Sequence, residues 1–287
     1  MDKILEIKNL KKDYKKFSIK NLSLTLDRGY VMGFIGPNGA GKSTTIKLIM
    51  NLISKNSGEI KLFGLDNIKN EREVKERIGF VYDENYYYEE LTIDKMKRII
   101  APFYKNWSED TFTRYLKDFE LDKNQKIKKL SKGMKMKFSL AAALSHKAEL
   151  IIMDEPTGGL DPVFRREIID ILYSLIQDEN KSIFFSTHIT TDLDKIADYV
   201  TFINKGELVF SKEKDEIAES YSLVKGGLEL LNSESKNDFI GIKRNSFGFE
   251  ALTDKKQELI KKYRDKAIFE KASLEDIMFH TVKGENL

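Results

Sequence analysis

The chain has 287 residues, 41% apolar and 33% charged, a balance that suits one large globular domain with an appendage and excludes a disordered chain. Lysine and arginine number 49 against 46 acids, a formal charge of +3, which argues against a generic nucleic-acid binder. With no cysteine, disulfides, thiolate metal sites and a cysteine nucleophile are excluded. The longest stretch free of Asp, Glu, Lys and Arg, around Tyr30–Gly41, is broken by glycine and proline and falls short of the about 20 apolar residues of a membrane-spanning helix. The start, Met1 to Glu6, lacks the apolar core of a signal peptide, so a cytoplasmic chain is expected.

Residues up to about 30 alternate as half-buried strands, most cleanly over Ile19–Leu26. The apolar run Val31–Ile35, a glycine-rich turn and a helical stretch through Leu48, Ile49 and Leu52 form the opening of an α/β unit. About 83–147 reads as helical, with Trp107, Phe112, Tyr115, Leu116 and Phe119 and then Met134, Phe138, Ala141, Ala142 and Ser145 at helical spacings. Leu150–Met153 and Ile183–Phe185 are continuous apolar strands of the kind buried on both faces of a parallel sheet. Tyr199–Ile203 leads through Asn204-Lys205-Gly206 into Leu208–Phe210, a hairpin. The pattern then changes. Strand-like pieces at Asp238–Ile242, Phe247–Leu252 and Ala267–Lys271 alternate with helical ones, and Ser273 with Asp276 resembles a capping pair, so 222–287 reads as a small α+β appendage to a domain spanning 1–215.

Gly36-Pro37-Asn38-Gly39-Ala40-Gly41-Lys42-Ser43 matches G-x-x-x-x-G-K-[ST]. Backbone amides can curl around phosphate oxygens only where side chains do not block the approach, and the following helix aims its positive end at the same anion. Lys42 is then placed for the β- and γ-phosphates, and the Ser43 hydroxyl for Mg²⁺. The strand at 150–153 runs into Asp154 and Glu155, a candidate Mg²⁺ ligand and a candidate general base, although two acids before Pro156 could equally begin a loop. The third strand ends at Ser186-Thr187-His188, whose imidazole could meet the γ-phosphate or be an ordinary structural histidine. Convergence of all three strand ends on one sheet edge favours the phosphate reading.

On these residues the chain resembles the ATP-binding subunits of ABC transporters over about 1–215. Gly36–Thr44 resembles their Walker A loop, Leu150–Glu155 Walker B, Gly159-Leu160-Asp161 the D-loop, Leu130-Ser131-Lys132-Gly133-Met134 the signature, and His188 the switch histidine. Tyr14 is placed like the aromatic that stacks on adenine. The resemblance implies a P-loop NTPase (RecA-like) α/β core, an N-terminal antiparallel β subdomain, an inserted helical subdomain at about 83–147 and the small C-terminal α+β extension. It implies ATP with Mg²⁺, nucleotide contacts from Tyr14, Gly36, Asn38, Gly39, Ala40, Gly41, Lys42, Ser43 and Thr44, metal contacts from Ser43, Asp83 and Asp154, and catalysis by Glu155, His188 and Lys42. Ser131 and Gly133 are implied to complete the site of a second ATP-binding subunit, packed head to tail. A separate transmembrane permease subunit is the implied partner, no nucleic acid is expected, and the implied location is the cytoplasmic face of the membrane.

Three residues depart from the family pattern: Asp83 stands where glutamine is usual, Lys132 replaces a signature glycine and Met134 its glutamine. Lys132 could serve the partner's γ-phosphate or be solvated. The Lys126–Lys137 cluster could face lipid headgroups or water, and Tyr86-Tyr87-Tyr88 a membrane partner or local packing. The tail, including Ser273–Met278, resembles that of exporters of peptides, antibiotics or lipids, those of the phenol-soluble modulin type among them. Two alternatives stay open: a soluble ABC-type ATPase acting on ribosomes or DNA, and a catalytically weak regulatory subunit.

Overall fold

The computed structural model describes residues 2–82, 87–231, 235 and 237–284. Within it the chain divides into two compact units, 1–211 and 212–287.

The first unit opens with β1 (Lys3–Asp13) and β2 (Ser18–Asp27), paired antiparallel. Their alternation is used as expected: Ile4, Leu5, Ile7 and Leu10 face inward with Ile19, Leu22, Leu24 and Leu26, while the intervening lysines and glutamates stay wet. Next come β3 (Val31–Ile35), α1 (Lys42–Ile49), β4 (Ser57–Leu62) and β5 (Leu65–Asp66). Pairing of β4 with β1 and of β5 with β4 completes an antiparallel sheet in the order β2-β1-β4-β5.

The remaining elements of this unit are α2 (Glu71–Glu76), β6 (Ile78–Val81), α3 (Ile93–Ile100), α4 (Glu109–Asp118), α5 (Lys132–Leu144), β7 (Leu150–Asp154), α6 (Pro162–Leu175), β8 (Ser182–Thr187), α7 (Thr190–Ile196), β9 (Tyr199–Asn204) and β10 (Glu207–Glu213), whose last residues pass into the second unit. A second sheet runs β10-β9-β3-β8-β7-β6, parallel from β9 to β6. Every residue of β3, β7 and β8 is buried, because helices cover both faces. Phe34 and Phe184 pack ring to ring at 5.4 Å in a core that also takes Ile46, Leu48 and Ile49 from α1. Such burial stabilises by about 2 kcal/mol for each large apolar side chain.

The helical insertion supplies α3, α4 and α5. Ser108 caps α4, its Oγ accepting from Thr111 N at 3.2 Å, so Trp107 lies just before the helix rather than in it and packs on Phe112. Phe112 in turn meets Phe138 of α5. Tyr87 resolves toward local packing. Its ring lies 4.9 Å from Phe138, its hydroxyl bonds Ser139 at 3.1 Å, and burial raises its pKa to about 12. Tyr88 is exposed, and Tyr86 lies outside the described residues. The lysine cluster is no continuous face: Lys126 and Lys128 pair with Glu90, Lys135 with Glu89 and Lys137 with Glu167.

The second unit begins with α8 (Lys214–Ser220) and β11 (Ser222–Gly226), followed by β12 (Gly241–Asn245), β13 (Gly248–Thr253), α9 (Lys256–Tyr263), β14 (Ala267–Lys271) and α10 (Leu274–Lys283). The strands form an antiparallel sheet in the order β12-β13-β11-β14, with Val224, Ile242, Phe249, Ala251, Leu259 and Tyr263 as its core. Asp238 is not part of a strand as its neighbourhood suggested. Its carboxylate accepts from the Tyr263 hydroxyl at 2.6 Å and from Lys262 at 2.7 Å, and extended pairing starts only at Gly241. Ser273 and Asp276 form the expected capping box.

At the lower end of the parallel sheet His146 is buried and stacked on Tyr104 at 3.8 Å, and burial lowers its pKa from 6.5 to about 4. The unfolded chain takes up this proton below pH 6.5 while the folded chain refuses it until about pH 4, so stability falls as pH drops through that window. At pH 5 the loss should be about 2 kcal/mol. Denaturant unfolding of wild type at pH 7.5 and pH 5 should show it, and His146→Phe should flatten the dependence.

Candidate functional site

The P-loop turn joins β3 to α1, and its shape is dictated by two close approaches. A Cβ on Gly36 would lie 2.3 Å from the Ile203 carbonyl oxygen. Gly41 has φ +113°, and a Cβ there would lie 2.5 Å from Ile19 and 2.8 Å from the Phe17 ring. Ala40 is buried, its amide donating to Pro37 O at 3.1 Å. A cleft of 770 Å³ opens above the turn, lined there by Asn38, Gly39, Gly41, Lys42, Ser43 and Thr44.

Parallel pairing brings the other groups in. Ile35 stands opposite Thr187 and Asp154 opposite Ser186, so β3, β8 and β7 end in one row. Asp154 is buried and accepts the Ser186 hydroxyl at 2.5 Å. Glu155 leaves the strand at φ +48°, its amide donating to Ser186 O and Oγ. That turn swings its carboxylate across the cleft, with Oε1 3.2 Å from Lys42 Nζ and Oε2 2.8 Å from His188 Nδ1. Lys42 is 6% exposed and also donates to Gly36 O at 2.8 Å and Pro37 O at 3.4 Å, and Glu155 supplies the balancing charge.

A buried carboxylate holds this arrangement from below. Asp192 of α7, 1% exposed, accepts from the Thr157 hydroxyl at 2.6 Å and from Arg165 Nε at 2.8 Å, and Arg165 also reaches the Thr191 hydroxyl. It ties the loop after Glu155 and the start of α6 to the helix after His188. No residue in the sequence pattern pointed to Asp192, because a single acid in an amphipathic helix reads as solvated.

The remaining expectations divide. Tyr14 does not line the cleft. It is 47% exposed beneath Lys12, while its amide closes a turn onto Phe17 O at 2.8 Å; the ring at the cleft belongs to Phe17, with Lys16 beside it. Ser131 caps α5 by accepting from Met134 N at 3.2 Å. Gly133 is buried, with the Phe164 ring 2.5 Å from where a Cβ would stand. Neither of these two lines the cleft of its own chain, whereas Lys132 does. Asp83 lies outside the described residues.

The comparisons with known proteins follow the same residues. The family model described as ABC transporter matches residues 19–158. The chain is 35% identical over 212 residues to the bacitracin transport ATP-binding protein BcrA of Bacillus licheniformis, covering 73% of this chain and 69% of that one. The chain belongs to the ABC transporter ATP-binding family. The lantibiotic transport ATP-binding protein SrtF of Streptococcus pyogenes is 36% identical over 216 residues, 74% of this chain and 92% of the relative. A solved ATP-binding subunit of an ABC transporter superposes with TM-score 0.66 at 29% identity, over 75% of this chain and 92% of the other. This member is accordingly an ATPase with the P-loop NTPase fold, a transport subunit working with a separate membrane component. Among its own described residues no helix is long and apolar enough to cross a membrane.

Cutting the carboxylate beneath the site should loosen the loops it joins. Asp192→Ala leaves Thr157 and Arg165 without their acceptor and should cost about 2 kcal/mol, less than a fully buried pair because Arg165 is partly wet. Thermal unfolding should show a midpoint about 5 °C lower.

Proposed function

We propose that the chain binds ATP with Mg²⁺ in the cleft above α1, dimerises with a second ATP-binding subunit around two nucleotides, and powers export of a peptide, antibiotic or lipid through a transmembrane permease. The observation that carries the nucleotide reading is the Glu155 carboxylate held between Lys42 and His188 at the ends of adjoining strands. The export reading rests on the names of BcrA and SrtF, whose printed substrates are bacitracin and lantibiotics.

In this reading the amides of Gly39–Thr44 and the Lys42 ammonium bind the phosphates, and Lys42 exchanges its carbonyl partners for them. The ring for the base end is Phe17. Glu155 accepts the proton of the attacking water, and His188 holds the carboxylate in the rotamer that faces the cleft and donates toward the terminal phosphate. Ser131 and Gly133 serve the nucleotide of the opposite subunit.

The donor set suits Mg²⁺: Ser43 offers a hydroxyl and Asp154 a carboxylate, both hard oxygens. The described residues contain no cluster of three or more His, Asp or Glu able to hold a metal alone, as fits a cation that takes its other ligands from nucleotide and water. When bound, Mg²⁺ neutralises charge on the phosphates and orients them. Asp83 remains a candidate contributor on the sequence pattern alone. The assembly would sit at the cytoplasmic face of the membrane through its permease.

Glu155→Gln should retain ATP and slow hydrolysis by about 100-fold, since the amide cannot take a proton. Unchanged turnover removes Glu155 from the role of base. Lys42→Ala should weaken ATP binding by at least about 10-fold, read by fluorescence titration. Pull-down from detergent-solubilised membranes should recover a multi-span protein; recovery with ribosomes or DNA alone would overturn the transport assembly.

A further inference from the structure

The sheet of the second unit has two outer strands, and they differ in charge. β12 carries Lys243 and Arg244 and no acid, so a reversed copy of itself would bring it no opposite charge, which guards that edge. At the other end β14 pairs with β11 alone among the described residues. One row of its backbone N–H and C=O groups therefore has no strand beside it.

The outer face of β14 is also open. Phe269 packs on the core of this unit, and alternation sends Ile268 and Glu270 to the opposite face, where Ile268 stays 64% exposed. Glu270 lies there beside Lys225 at 2.7 Å, and Lys225 stands opposite Ile268 on β11. Phe247, 96% exposed at the turn between β12 and β13, lines the same groove of 440 Å³ as Ile268. An apolar strip along an open strand edge is a surface that native folds cover or guard.

The order of charges along this edge fits a copy of itself. Asp265-Lys266-Ala267-Ile268-Phe269-Glu270-Lys271, laid antiparallel on the same segment with Ile268 against Ile268, sets Lys266 opposite Glu270 and Asp265 opposite Lys271. A two-fold axis through Ile268 makes each of these ion pairs twice and leaves apolar side chains at the centre. Asp265 and Lys266 lie in the short turn that leads into the strand, and both are exposed, as are Glu270 and Lys271. Lysines that served only to guard the edge would have no acid at the mirrored position, as on β12.

We propose that β14 is a self-association edge: two copies of this chain pair their β14 strands antiparallel about Ile268 and form a homodimer without nucleotide. None of the residues of this edge lines the cleft above α1, so the contact is separate from closure around ATP.

The chain has no cysteine, so a single introduced thiol reports a single contact. Directly opposed residues of antiparallel strands have Cα atoms about 4.5–5.5 Å apart, within the span of a disulfide. Ile268→Cys in the full-length chain, oxidised without nucleotide, should run mainly as a disulfide-linked dimer on a non-reducing gel. Gln257→Cys, exposed on α9, should stay monomeric. In sedimentation without nucleotide, Lys271→Glu sets acid against Asp265 and should weaken dimerisation by about tenfold. Adding Asp265→Lys should restore it to within about threefold of wild type. The proposal is overturned if the wild-type chain stays monomeric at about 100 μM, a concentration that detects even a weak dimer. It is equally overturned if Ile268→Cys links no faster than Gln257→Cys, or if the double charge reversal restores nothing. A dimer that forms only with ATP, or only with a different subunit, overturns it as well.

Discussion

One carboxylate organises the cleft above α1. Glu155 faces a buried ammonium on one side and an imidazole on the other, and each contact comes from a different strand end. Lys42 could not be kept 6% exposed without compensating charge, since an isolated ion in the interior costs several kcal/mol. The acid and the two carbonyls of the P-loop turn supply that compensation, so the pocket keeps its shape with its cationic end ready for an anion.

That juxtaposition depends on the register of the parallel sheet. A one-residue slip in a strand buried on both faces would exchange the side chains packed on its two sides, so close packing on both faces holds the register. β3, β8 and β7 are buried throughout, so their ends stay level and the polar residues just beyond them meet. The network of Asp192 with Thr157 and Arg165 extends the same constraint to the loops. The candidate site residues stand in loops just beyond the strands, and buried hydrogen bonds below hold those loops.

Membership of the ABC transporter ATP-binding family accounts for the first unit, and the departures from the family pattern are where this chain is individual. Lys132 stands where the family pattern has a signature glycine, and it lines the cleft beside Gly159. The second unit has its own sheet and core and is stable by the same physics, with a capping box opening its last helix.

Much of this was legible in the order of residues. The P-loop spacing, the apolar runs at 31–35, 150–153 and 183–185 and the polar residues at their ends are short-range signals, and short-range signals survive in sequence because strand period and turn chemistry act on neighbours. The helical insertion and the appendage were legible for the same reason. That Phe17 rather than Tyr14 lines the cleft was not: it depends on how one turn directs two aromatics three residues apart, and Gly41 packs against the one that points inward. Asp192 was invisible because its importance lies in partners 27 and 35 residues away. The lysine cluster looked like one face until Glu89, Glu90 and Glu167 arrived from other segments to pair with it. Local chemistry can be read along the chain; which distant side chains share a cleft is set only when the sheet register and the helix packing bring them together.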